Sequence, residues 1–314
     1  MIIKKLKIKN VELDNNIIMA PLAGYTDVGF RDLVASYGAG ATTTEMVSAK
    51  GIVYDSKKTS ELLYTTENEK VKIAQIFGGE PNFIYLALKN ELFNKFDIID
   101  INMGCPVSKI VKNNEGSALL KDSGLAYEIV QAAVSSTDKP ITVKIRRGYA
   151  LGDDVSLNFS KVIEKAGASA ITIHGRYKEQ LYAGKSDREC IKIVKENLSI
   201  PIIANGDIFS KNDCCDVMNE TQADGVMIAR GALGNPGIFL DILGKDRYLS
   251  KKQEIMKYIS TLEKFYHSEL IYRMIKTQLS FFFRGEINSN KKRVAIVNSK
   301  SLDEIKNCIE IFLD

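Results

Sequence analysis

KPITVKIRRGYALGDDVSLNFSKVIEKAGASAITIHGR, residues 139–176, holds two short apolar, β-branched runs, ITVKIRR (141–147) and SAITIHG (169–175), separated by FSKVIEKAG. The middle segment carries apolar residues at helical spacing and closes at a glycine, as helices commonly do. Strand, helix and strand in that order make a crossover unit, which leaves its two strands parallel. Six more runs of the same kind flank it: IIMAP (17–21), GATTTEM (40–46), VKIAQIF (71–77), DIIDINM (97–103), PIIANG (201–206) and DGVMIAR (224–230). Helical patterns in FRDLVASYG, PNFIYLALKNELF, GLAYEIVQAAVSST and KNDCCDVMNET separate several of them. Strands this continuously apolar are buried on both faces, so the class expected is α/β, a closed (β/α)8 TIM barrel.

An open doubly wound sheet is the competing architecture. Its dinucleotide fingerprint is missing, because GYTDVG and GAGATT both fail the G-x-G-x-x-G spacing. AGKS (183–186) resembles the end of a phosphate-binding loop, but Glu179 stands where the first glycine is needed. From about Lys245 the pattern turns to helices only: QEIMKYISTLEKFYHSEL, YRMIKTQLSFFFRG and SLDEIKNCIEIFL. The expected division is therefore a barrel over residues 1–244 and a small all-helical domain over 245–314.

Composition bounds the function. The 314 residues are 45% hydrophobic and 26% charged, the balance of a soluble globular chain, and no run approaches a transmembrane span. MIIKKLKIKN has no signal-peptide core, so a cytoplasmic location and no membrane partner are expected. Cys105, Cys190, Cys214, Cys215 and Cys308 form no C-x-x-C pair, which argues against structural disulfides and a metal site. Net charge is +4, with 29 Lys+Arg against 30 Asp+Glu in residues 1–244 and 14 against 9 in residues 245–314. The excess lies wholly in the helical segment, which is either a solvated surface or one that faces a polyanion.

Chemistry in such a barrel sits at the C-terminal ends of the strands. There the sequence places Pro21, Leu22, Ala23 and Gly24; Gln75; the Cys105 loop; Lys144 with Arg146; His174 with Arg176; Asn205, Gly206 and Asp207; and Ala229 with Arg230. Gln75 is either a satisfied buried amide or a ligand contact, and His174 taken alone reads as a structural hydrogen-bonding residue. Lys144, between Val143 and Ile145, needs a carboxylate or an anionic ligand, because an unpaired buried ammonium is costly. NGDIFS and ARGALGNPGIF suit phosphate binding at adjacent strand ends, though either is also an ordinary turn. Together with Lys144 they favour a phosphate-bearing cofactor.

The strings APLAGYTDVGFR, AQIFGGEP, DINMGCPVSKIVKNNEGSALLKD, VKIRRG, ITIHGR, IANGDI and MIARGALGNPGIF follow one another in the order found in tRNA-dihydrouridine synthases. The chain resembles that family from about Ile17 to Phe239, and more loosely beyond. The resemblance implies an FMN-dependent enzyme that reduces a uridine in tRNA to 5,6-dihydrouridine, with NADPH as electron donor. It puts FMN contacts on Pro21, Leu22, Ala23, Gln75, Lys144, His174, Asn205, Gly206, Asp207, Ala229 and Arg230, and the proton donor on Cys105. Hydride would pass from flavin N5 to C6 and a proton from Cys105 to C5. The chain departs from the family at Lys276-Thr277-Gln278 with Phe281, where Lys-His and a later aromatic are expected, and at Asn113-Asn114-Glu115 before Gly116. No obligate protein partner is implied. Two other functions fit part of the pattern: a flavin-dependent barrel reductase of a small pyrimidine or enone, and a tRNA-binding module without catalysis.

Overall fold

A computed structural model describes residues 3–313. The chain opens with an antiparallel hairpin, β1 (Leu6–Ile8) and β2 (Val11–Leu13). The barrel follows with β3 (Ile17–Met19), β4 (Ala41–Thr43), the two-residue β5 (Val47–Ser48) and β6 (Lys72–Phe77). It continues with β7 (Ile98–Met103), β8 (Ile141–Gly148), β9 (Ala170–Tyr177), β10 (Ile202–Asn205) and β11 (Gly225–Ile228). All pairings in this sheet are parallel. Contacts of β3 with β11 and of β4 with β6 close the cylinder, and β5 lies beside the end of β6. The expected TIM barrel is what forms, with each of the expected apolar runs supplying one of its strands.

Burial on both faces does not make the two faces alike. Along β7, Ile99, Ile101 and Met103 pack outward on the helices, whereas Ile98 joins the cluster inside the barrel. Period-two geometry then turns Asp100 and Asn102 inward above Ile98. The same rule gives Thr142, Lys144 and Arg146 on β8, Ala170, Thr172 and His174 on β9, Ile203 and Asn205 on β10, and Ile73 and Gln75 on β6. The interior is therefore apolar at the N-terminal end of the strands and becomes polar toward the C-terminal end.

The hairpin, which the sequence reading did not anticipate, closes the apolar end. Leu6, Ile8 and Leu13 are at most 4% exposed and pack against Ile18, Ala41, Ile73, Ile98, Ala170, Ile203 and Met227. Burying three such side chains contributes roughly 5–8 kcal/mol.

Helices between the strands begin where short polar side chains cap them. Asp27 accepts from the Phe30 N–H, Asp122 from Leu125 and Ser210 from Asp213. The C-terminal segment forms four helices, Lys251–Leu262, Ser268–Phe282, Ser289–Asn298 and Leu302–Phe312. The continuous helix expected over QEIMKYISTLEKFYHSEL is broken at residues 263–267, and Ser289–Asn298 is an additional helix. One hydrophobic cluster runs from the barrel into these helices. Polar contacts stitch the seam: Tyr258 Oη donates to Asp27 Oδ2 at 2.6 Å and Tyr37 Oη to Glu254 Oε1 at 2.8 Å.

Candidate active site

A cleft of about 490 Å³ opens at the polar end of the barrel. Its lining includes Pro21, Leu22, Ala23, Cys105, Lys144, His174, Asn205, Gly206, Asp207, Ala229 and Arg230. Residues far apart in sequence thus meet because they lie in the upper part of, or just after, different barrel strands. Gln75 is the one expected contact that stands behind the lining.

Gln75 belongs to a chain of hydrogen bonds that ends at the cysteine loop. Thr142 Oγ1 donates to Asp100 Oδ1 at 2.6 Å, and Gln75 Nε2 to Asp100 Oδ2 at 2.7 Å. Asn102 Nδ2 donates to Gln75 Oε1 at 2.8 Å, while Asn102 Oδ1 accepts from the N–H groups of Gly104, at 3.2 Å, and Cys105, at 2.9 Å. Asn102, Asp100 and Thr142 escaped the sequence reading, although alternate positions along DINMG already marked Asp100 and Asn102 as sharing one face. Arg146 reinforces the loop, donating from Nε to Gly104 O at 3.0 Å and from Nη1 to the carbonyls of Tyr177 and Leu181.

The loop closes back on itself at Gly116. Ser117 N donates to Cys105 O at 3.0 Å, and Gly116 has φ +60°. A Cβ there would stand 2.9 Å from Cys105 O and 3.1 Å from Cys105 Cβ, so only glycine fits. The polar Asn113-Asn114-Glu115 run is accommodated against Gly79, whose missing side chain admits the Asn114 carbonyl.

The electrostatics are those of an anion site. Lys144 Nζ has no carboxylate within ion-pairing distance among the described residues. Burial, then the charge of Arg146, bring its pKa down to about 8, against the opposing pull of Asp100 and Cys105. His174 is held well below its ordinary value by burial and by Lys144, Arg146, Arg176 and Arg230, so the ring is neutral. Arg176 Nη1 lies 3.3 Å from His174 Nε2, which in a neutral ring makes Nε2 the acceptor and puts the proton on Nδ1.

Asp207 is the carboxylate among these cations. Burial opposes its charge, but hydrogen bonds from Arg176 (2.8 Å) and Ser186 N (2.8 Å), with the charges of Arg176 and Arg230, hold it below the usual carboxylate range. Arg230 Nη2 reaches its other oxygen at 3.2 Å. Meanwhile the backbone N–H groups of Gly206, Asp207, Arg230 and Gly231 make no hydrogen bond among the described residues. Free N–H groups at two adjacent turns, beside unpaired Lys144, suit a phosphate-bearing ligand.

Cys105 is half-buried and unpaired. Burial pushes its pKa up, and the Val107 N–H, Arg146 and Lys144 offset this only in part. Its thiol therefore keeps its proton at neutral pH.

Of the basic residues in the helical segment, several are already occupied. Lys251 and Lys292 pair with Glu286, Arg273 pairs with Glu269, and Lys276 donates to the carbonyls of Val297 and Ser299. The exposed side chains of Lys264, Lys291 and Arg293 make no hydrogen bond or ion pair among the described residues. No helix of the described residues is long and apolar enough to cross a membrane.

The chain is thus a parallel (β/α)8 barrel with a cation-lined cleft over its strand ends and a protonated thiol opening into it, an arrangement that suits an anionic ligand. Solved structures agree on the fold: 2-naphthoyl-CoA reductase superposes with a TM-score of 0.60 at 11% identity, covering 77% of this chain and 52% of its own. Morphinone reductase gives 0.57 at 11% identity, covering 78% and 90%. Sequence goes further. The model of the family described as Dihydrouridine synthase (Dus) matches residues 18–312, and the chain belongs to that family. Its relatives include tRNA-dihydrouridine synthase B of Pasteurella multocida, 36% identical over 89% of this chain and 87% of the relative. The corresponding protein of Proteus vulgaris is 34% identical over 98% of both. A probable tRNA-dihydrouridine synthase of Rickettsia bellii is 40% identical over 79% of this chain and 76% of the relative.

Proposed function

We propose that the protein reduces a uridine of tRNA to 5,6-dihydrouridine, using FMN bound in the cleft and NADPH as electron source. The observation that carries this reading is the protonated Cys105 thiol sharing one cleft with unpaired Lys144 and the free N–H groups of two turns. Saturating the C5=C6 bond needs a hydride at one carbon and a proton at the other. Bound and reduced, FMN supplies the hydride. Cys105 holds and delivers the proton to C5, a role that a disulfide or metal would abolish.

The free N–H groups of Gly206, Asp207, Arg230 and Gly231 would bind the phosphate, with Arg230 beside them. Lys144 is the counter-charge for the anionic cofactor. Pro21, Leu22, Ala23 and Ala229 supply apolar wall, while Asn205 donates to Met227 O at 2.7 Å and keeps the turn after β10 in place. His174 presents a neutral ring. Gln75 acts one layer back through Asn102, and the Asp207 carboxylate fixes Arg176 and Arg230. Residues 245–314 are the segment we assign to the RNA backbone, through Lys264, Lys291 and Arg293. A base in folded RNA must leave its stack to reach such a cleft.

The test is to mix the protein with NADPH and unmodified tRNA transcripts and to quantify dihydrouridine by mass spectrometry, with Cys105→Ala in parallel. Product from the wild type and little from the variant is expected. Oxidation of NADPH through the flavin without dihydrouridine would transfer the activity to a small pyrimidine or enone.

A further inference from the structure

Helix Ser268–Phe282 lies more than two hundred positions from β3 in sequence, yet it touches the cleft wall directly. Gln278 on this helix is fully buried, and its Nε2 donates to Tyr25 O at 2.6 Å. One turn later, the Phe281 ring meets the Tyr25 ring edge-on with centroids 5.6 Å apart. The turn after β11 abuts the same place: Gly234 has φ +68°, and a Cβ on it would stand 2.3 Å from the Phe281 carbonyl carbon. Tyr25 itself lines the cleft beside Pro21, Leu22 and Ala23.

Packing alone does not account for a glutamine here. Its Oε1 is buried without a hydrogen-bond partner among the described residues, a cost that leucine of similar size would avoid. What glutamine offers instead is the donor to Tyr25 O. The turn it holds is closed internally by bonds from Tyr25 N, Thr26 N and Thr26 Oγ1 to Leu22 O and from Leu22 N to Thr26 Oγ1, and Glu45 Oε2 ties it to the barrel by accepting from Gly24 N at 2.5 Å. Gly24, at φ +78° with open space around its Cα, gives the turn no packing of its own.

We propose that Gln278 is a positioning residue, which with Phe281 sets the Leu22–Tyr25 wall of the cofactor cleft from a helix outside the barrel. The inference rests on the proposed FMN-dependent reaction. Helix Ser268–Phe282 is then part of the cofactor scaffold as well as of the C-terminal segment, and RNA seated on that segment bears on the same wall.

The test compares full-length wild type with Gln278→Leu, each stripped of cofactor and reloaded with FMN alone. Far-ultraviolet circular dichroism unchanged, FMN binding about fivefold weaker and a displaced visible circular-dichroism band of bound FMN are expected. For dihydrouridine formation kcat falls, while the Kd for tRNA stays at the wild-type value, a split that general destabilisation would not produce. Wild-type FMN affinity and visible band in the variant overturn the inference alone. A wild-type protein that binds no FMN overturns the proposed function and this inference with it. Should Gln278→Leu not fold, Phe281→Leu removes the ring contact and is read in the same way, with wild-type FMN affinity and visible band again overturning the inference.

Discussion

Cys105 and Lys144 face one cleft with opposite proton habits. Burial stabilises the neutral form of each, so the thiol keeps its proton while the ammonium releases its own at about pH 8 rather than 10.5. Cys105→Ala should retain bound flavin and lower dihydrouridine formation by roughly 10²–10⁴-fold, read by mass spectrometry of the product. Lys144 carries its charge below about pH 8 and loses it above, so FMN affinity should fall as pH rises through that value. Lys144→Met should abolish this dependence and bind FMN about tenfold more weakly; a flat wild-type profile between about pH 6 and pH 9.5 would refute it. The same lysine costs stability in the cofactor-free protein. Its folded pKa lies below the unfolded one, so the penalty is full below pH 8 and disappears as pH rises toward 10.5. At neutral pH Lys144→Met should therefore raise cofactor-free stability by about 2 kcal/mol in urea unfolding, allowing for partial solvent access. Sequence made Lys144 visible because it breaks an apolar strand, and Cys105 because it stands alone in a strand-end loop that matches the tRNA-dihydrouridine synthase motif. Asn102 and Asp100 were hidden because their partners, Gln75 and Thr142, belong to other strands.

At the scale of elements, what was legible depended on length and pattern. The barrel strands stand out because a short, continuous β-branched run between helical patterns suits a strand buried on both faces and little else. The hairpin does not, because LKI and VEL interleave lysine and glutamate with apolar residues and read as a charged N-terminus. Helix Ser289–Asn298 buries only Ile296, so its sequence carries no clear apolar face. The break at residues 263–267 falls inside a helical pattern without proline or glycine, and Phe265 within it stacks on Tyr64 at 5.3 Å, a tertiary contact the sequence pattern does not carry. Two predictions belong here. Gly116→Ala should cost about 2 kcal/mol and, by displacing the Cys105 carbonyl, reduce turnover more than it reduces stability. Leu13→Ala should cost about 3 kcal/mol by denaturant titration while leaving the turnover of folded protein intact, since it lies at the far end of the barrel from the cleft.

For the whole molecule, the distribution of charge matters more than its total. The basic excess of the C-terminal segment is partly spent on internal pairs, which composition could not reveal. Charge reversal at Lys264, Lys291 and Arg293 should therefore flatten the salt dependence of tRNA binding. Reversal at Lys251, already held by Glu286, should change that slope little and destabilise the helices instead. Filter-binding titrations across a salt series distinguish the two. Last, the hairpin at the barrel floor governs traffic. A vessel corked at one end admits and discharges everything through the other, so under the proposed reaction the nucleotide reductant, the RNA base and their products would share a single door. Each visitor would then have to leave before the next could enter, and initial-rate plots should run parallel rather than cross.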